Sequence, residues 1–150
     1  MALTKSDVNI FIFFKLPSAF LCGVRAKFID NLKCIATVKY RYINQNPFNS
    51  MYFAVQAMAA ELTTGALVLS QIRDSKKNIS MLVANSKSNF TKKAVGRITF
   101  TCNDGLFIEN AIKKAIETNE GQTIWMKSIG INEQGEQVSE FDFEWSVRVK

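Results

Sequence analysis

The sequence predicts an α+β fold, and three of its stretches carry that prediction. Residues 141–149 alternate without a break, with Phe141, Phe143, Trp145, Val147 and Val149 on one parity and Asp142, Glu144, Ser146 and Arg148 on the other. Residues 97–102 repeat the pattern, Ile98, Phe100 and Cys102 opposing Arg97, Thr99 and Thr101. Such alternation belongs to an antiparallel sheet with one covered face. Between the two strand-like parts of the chain, residues 50–69 are rich in Ala, Met and Leu, which favour a long helix.

The remaining elements follow in order. Thr4 with Asp7 three residues later marks a helix start, and a short apolar helix runs to Lys15 before Leu16-Pro17 breaks it. Residues 24–43 read as two strands turning at Asp30-Asn31, since Val38, Tyr40 and Tyr42 share a parity opposite to Lys39 and Arg41. The polar loop 44–50 then leads into the long helix. Residues 79–90 and 95–102 are expected to pair as strands, with Thr91-Lys92-Lys93 between them. Asn103-Asp104-Gly105 starts a helix reaching Glu117, and residues 123–131 and 138–149 form a last hairpin turning at Gln134-Gly135.

No repeat, low-complexity tract or linker divides the 150 residues, a length typical of one domain. We therefore expect a single domain over 1–150, with residues 1–15 as a helical extension. At 47% apolar and 21% charged, the chain can bury a sizeable core. It contains no histidine. That excludes His-based triads, His-bearing metal sites and Asp/His hydratases, so proton transfer falls to carboxylate, lysine, tyrosine, cysteine or water. Cys22, Cys34 and Cys102 stand too far apart for a zinc or redox pair and read as small buried hydrophobes. With no signal-peptide pattern at the N-terminus, a reduced, cytoplasmic protein is expected. Neither apolar run reads as a membrane span: residues 10–14 are too short, and 51–72 carry Gln56, Glu61, Thr63, Thr64 and Gly65.

Glu61 is the informative polar residue. Its neighbours at helical spacing are Ala54, Ala57, Met58, Thr64 and Gly65, mostly small, which leaves room for a ligand to approach. Burial there would raise its pKa toward the range of a general base. The competing reading is an ion pair with Lys or Arg at the helix edge. Gln56 and Thr63 read as a solvated polar stripe.

Two strands, a long central helix, then further strands with one short helix resemble the hotdog fold, a curved antiparallel sheet around one long helix. Asn46-Pro47-Phe48-Asn49-Ser50-Met51-Tyr52-Phe53-Ala54, followed by Ala59-Ala60-Glu61-Leu62-Thr63-Thr64-Gly65, is similar to a branch of the hotdog acyl-CoA thioesterases. With the approach from Leu16-Pro17 to Gly23-Val24-Arg25, the resemblance covers roughly residues 16–150. It implies that Glu61 is the base or nucleophile against a thioester. In the phenylacetate-pathway type a His-Gly-Gly turn starts this helix; here Tyr52-Phe53-Ala54 stand in its place. The resemblance therefore leaves the oxyanion to backbone amides near Tyr52 and Phe53, with Asn46 or Asn49 orienting substrate or water. It also implies a homodimer with its sites at the interface, further pairing into a tetramer being left open. Thr64, Asn85, Ser86 and Ser88 are then candidates for the interface or ligand. No metal is expected, and no cofactor beyond the coenzyme A of the substrate.

Charge is segregated along the chain. Residues 25–97 carry 12 basic and 3 acidic side chains, whereas 98–150 carry 5 basic and 9 acidic. Lys87, Lys92 and Lys93 are candidates for the phosphates of coenzyme A. Nucleic-acid binding fits less well, because only Phe90 and Phe100 lie near the basic run and Phe100 has inward parity. The alternative to a thioesterase is a hotdog protein that binds an acyl-CoA or lipid ligand without hydrolysing it.

Overall fold

The computed structural model describes residues 2–150. Chain order is α1 (Lys5–Lys15), α2 (Pro17–Leu21), β1 (Arg25–Ile29), β2 (Cys34–Lys39), a 3-10 turn at Tyr42–Asn44, α3 (Phe53–Ser75), β3 (Ile79–Phe90), β4 (Arg97–Cys102), α4 (Gly105–Thr118), β5 (Gln122–Ile131) and β6 (Gln137–Val149). The strands form one antiparallel sheet ordered β1-β2-β4-β5-β6-β3, wrapped around α3.

Helix α3 is apolar and long enough to span a membrane by length and composition. Instead it is the core helix, burying Val55, Ala59, Ala60, Leu62, Leu67 and Val68 against the sheet. Burial on several faces is what an apolar-all-round helix requires. The helix runs two turns past the expected end at residue 69, because Ser70 and Gln71 are buried rather than solvated. Lys76 ends it in the left-handed region, at φ 56°. Gln56 and Thr63 are also buried, not part of a solvated stripe. The Thr63 hydroxyl bridges the Ala60 carbonyl and the Ser128 hydroxyl.

The inner face of the sheet follows the alternation in the sequence. Phe141, Phe143, Trp145 and Val147 point inward, as do Ile98, Phe100 and Cys102. Cys34, Ala36 and Val38 of β2 lie opposite Cys102, Phe100 and Ile98. The expected pairing of residues 79–90 with 95–102 does not form: β3 pairs with β6, and β4 sits between β2 and β5. The reason lies in the connection, which is a crossover rather than a tight turn. Thr91 N–H donates to Val138 O, Met51 N–H to Ala94 O and Tyr40 N–H to Gly96 O, so the segment passes the start of α3 and crosses the sheet.

Helix α1 begins with the expected cap, Thr4 and Asp7 exchanging side-chain-to-backbone hydrogen bonds at 2.9 and 3.2 Å. Its Asn9 amide accepts from Ala26 N–H at 2.8 Å and donates to Ala26 O at 3.0 Å. Those are the groups that an edge strand leaves unpaired, so α1 covers the free edge of β1. Leu3 N–H donates to Ser70 Oγ, tying the start of this segment to the C-terminal half of α3. The opposite edge, β3, stays open, with residues 84–90 exposed.

Candidate functional site

Glu61 lies mid-way along α3 on the face that turns toward α1. A Cβ added to Gly65, one turn on, would sit 3.3 Å from Glu61 Oε1 and 3.1 Å from Trp145 Cζ2. The carboxyl therefore rests over the glycine, beside the indole ring. Among the described residues no side chain hydrogen-bonds or ion-pairs with this carboxyl, so the helix-edge ion pair does not form. Burial raises its pKa above the ordinary carboxylate range. It opens on a cavity of about 870 Å³ between α1 and α3, floored by Met81 and Trp145.

The start of α3 makes a second concave region, about 500 Å³, lined by Asn46, Tyr52, Phe53, Gln56, Lys92 and Lys93 among others. The Asn46 side chain is spent on building it. Its Oδ1 accepts from Phe48 N–H and Ser50 N–H, and its Nδ2 donates to Ser50 Oγ and Met51 O. Asn49 takes the left-handed turn position at φ 61° and is exposed. Tyr52 N–H donates to Asn44 O at 2.9 Å. The amides of Phe53 and Ala54 have no acceptor among the described residues, as expected for a first turn without a side-chain cap. Glu61 is eight residues beyond Phe53, about 12 Å along the axis at the α-helical rise. Within one chain the carboxylate and the free amides are thus separate.

The other candidate residues scatter. Thr64 is fully buried, accepting from Trp145 Nε1 at 2.9 Å and donating to Glu61 O at 2.9 Å. Asn85, Ser86 and Ser88 lie on the exposed part of β3, Ser86 and Ser88 opposite the inward-facing Phe143 and Phe141. Asn85 Nδ2 donates to Glu144 Oε1 on β6 at 2.9 Å. A bulge between Val83 and Asn85 shifts the register there. Lys87 Nζ stands 4.6 Å over the Trp125 ring, Lys92 pairs with Glu136, and Lys93 donates to Phe48 O at 3.1 Å. Lys92 and Lys93 therefore flank the start of α3, and Lys87 does not.

Two contributors escaped the reading of the sequence. The wall supplied by α1 is one, because nothing local to residues 3–16 says which surface they cover. Gln56 is the other: it is 3% exposed, lines the region at the helix start, and its Oε1 finds no partner among the described residues. An i+3 spacing from Phe53 was the signal available, and it does not distinguish a buried face from a solvated one. No group of three or more His, Cys, Asp or Glu able to hold a metal occurs among the described residues.

No family model and no curated protein matches the sequence. Solved structures do match over essentially the whole chain. A Pseudomonas aeruginosa protein of unknown function, described as a probable thioesterase, superimposes with a TM-score of 0.87 at 22% identity, over 100% of this chain and 99% of its own. A mutant thioesterase from the same organism gives 0.75 at 13% identity, covering 100% and 97%. A Haemophilus influenzae thioesterase gives 0.74 at 13%, covering 99% and 93%. The chain has the hotdog fold. At these identities the likeness concerns the fold, and among hotdog proteins the neighbours of this chain include thioesterases.

Proposed function

We propose that the protein hydrolyses acyl-CoA-type thioesters with Glu61 as base or nucleophile. One observation carries the reading: an unpaired carboxyl of raised pKa opens onto a large apolar cavity in a hotdog fold. Deprotonated, Glu61 can take a proton from water or attack the thioester carbon directly. The free Phe53 and Ala54 amides, at the positive end of the α3 dipole, suit the oxyanion that forms.

Since these groups lie about 12 Å apart within one chain, the reading requires a homodimer. Two α3 helices packed about a two-fold axis perpendicular to them would run antiparallel and bring each Glu61 toward the helix start of the other protomer. The open edge of β3 supports such pairing, as this twelve-residue strand, exposed over residues 84–90, offers unpaired backbone groups to a second copy. Coenzyme A phosphates then meet Lys92 and Lys93 beside that helix start.

A second reading, an acyl-ligand binder without turnover, has its own support. The exposed Phe53 ring stands where the resembled thioesterases carry a glycine, 5.2 Å from the Tyr52 ring at their histidine position. Thiol release from a panel of acyl-CoAs separates the two. Hydrolysis is expected, and Glu61→Gln should lower kcat/KM by at least about 100-fold. Turnover unchanged by that substitution would sink the mechanism, and saturable binding with no turnover would favour the binder.

A further inference from the structure

We infer that the cavity under α1 holds the hydrocarbon chain of the acyl group, so that the preferred substrates carry unbranched medium- to long-chain acyl groups rather than short or aromatic ones. The inference rests on the thioesterase reading for the chemistry at Glu61, but on the cavity alone for the chain.

Three features of the cavity point to this occupant. One stripe of α3, from Glu61 through Gly65, Ala66, Leu69 and Ile72 to Arg73, lines the cavity. The twelve helical steps from Glu61 to Arg73 give that stripe a length of about 18 Å, far more than an acetyl or benzoyl group needs. Beside the carboxyl, Gly65 and Ala66 leave room on the α3 wall against Leu62 and the Trp145 ring. Leu69 and Ile72 continue the wall as aliphatic side chains, which fits a narrow chain leaving a reacting carbonyl. The walls are almost wholly apolar, and helix α1 contributes Val8, Phe11 and Phe14. The cavity is open to solvent along α1, where Phe14 is exposed, and its volume of about 870 Å³ falls in the size range of ligand sites. A bulky polar ligand would find few partners along the walls, whereas each methylene placed there leaves water.

Trp145 lines the cavity beside Glu61, and the other tryptophan, Trp125, lies on the opposite parity of the sheet, stacked under Lys87. In a Trp125→Phe background the emission of Trp145 therefore reports filling of the cavity without any need for turnover. The probes are saturated acyl-CoAs from acetyl to palmitoyl, with coenzyme A alone as the control. Affinity should rise up to about fourfold per added methylene until the cavity is full, with a matching shift in Trp145 emission that coenzyme A alone does not produce. Ala66→Phe should end that rise at a shorter chain and weaken palmitoyl-CoA binding at least tenfold. Ile72→Phe, at the less buried far end, makes the same test where folding is less at stake.

An affinity independent of chain length, or a plateau that neither substitution moves, overturns the inference even if short acyl-CoAs are hydrolysed. A chain-length ladder that persists in Glu61→Gln while no acyl-CoA is turned over supports the acyl cavity and overturns the hydrolase reading instead.

Discussion

Glu61 shows how one side chain can be costly to the fold and useful to the site. Burial disfavours its ionised form, and no cation or hydrogen-bond donor among the described residues offsets that. The native chain therefore holds this proton more tightly than the unfolded chain does. Stability should fall as pH rises from the ordinary carboxylate value through the raised one. Glu61→Gln is accordingly expected to unfold at higher urea than the parent at pH 7, with the difference vanishing near pH 4. In the parent, the acidic limb of kcat/KM should lie above the usual carboxylate range. The cysteines behave in the opposite way, as inert packing. Burial pushes the Cys34 and Cys102 thiols up to about 12, while Cys22 is half-buried. A thiol reagent at neutral pH should modify only Cys22 in the native protein, and all three cysteines in urea.

At the scale of elements, the start of α3 permits an unusually clean substitution. Phe53 is the first helical residue, its amide is free, and Tyr52 before it has φ −58° and ψ 133°, a conformation that a following proline accepts. Phe53→Pro should leave the circular dichroism essentially unchanged and lower the melting temperature only by the loss of the half-exposed ring's contacts with Tyr52 and Phe90. If the amide holds the oxyanion, kcat should drop roughly 10²–10³-fold. The start of α4 permits nothing of the kind. A Cβ on Gly105 would meet Asn31 O at 2.1 Å and Leu32 Cα at 2.6 Å, because Gly105 N–H donates to Leu32 O across that close approach. Gly105→Ala must push the β1–β2 turn away from α4, at a cost of about 1–3 kcal/mol or more in urea unfolding. Most element types and boundaries were legible from local pattern, since burial of one face per strand imposes the period of two. The pairing of β3 was not, because a crossover and a hairpin share the same polar residues at 91–93.

Over the whole molecule, the sheet has one edge covered by Asn9 of α1 and one left open at β3. A site shared between protomers makes a prediction that a site within one chain does not. Glu61→Gln and Phe53→Pro proteins, each nearly inactive, should recover about a quarter of parental activity when refolded together, because half the dimers are mixed and each mixed dimer has one intact site. No recovery, despite mixed dimers detected by mass, would confine the site to a single chain. Net charge acts at the same scale. Lys92 of the basic half meets Glu136 of the acidic half, so part of the segregation seen along the chain is cancelled in space.

By itself the sequence determined the α+β class, the long central helix, the inward parity of β4 and β6, and the absence of histidine chemistry, because these depend on residue type and local period. It also placed one carboxylate on a small-residue face of that helix. Only the tertiary structure decided that this face looks into a cavity walled by α1 and that Gln56 and Thr63 are buried. Each of those depends on which distant segment packs against a given face. No periodicity within a segment encodes that.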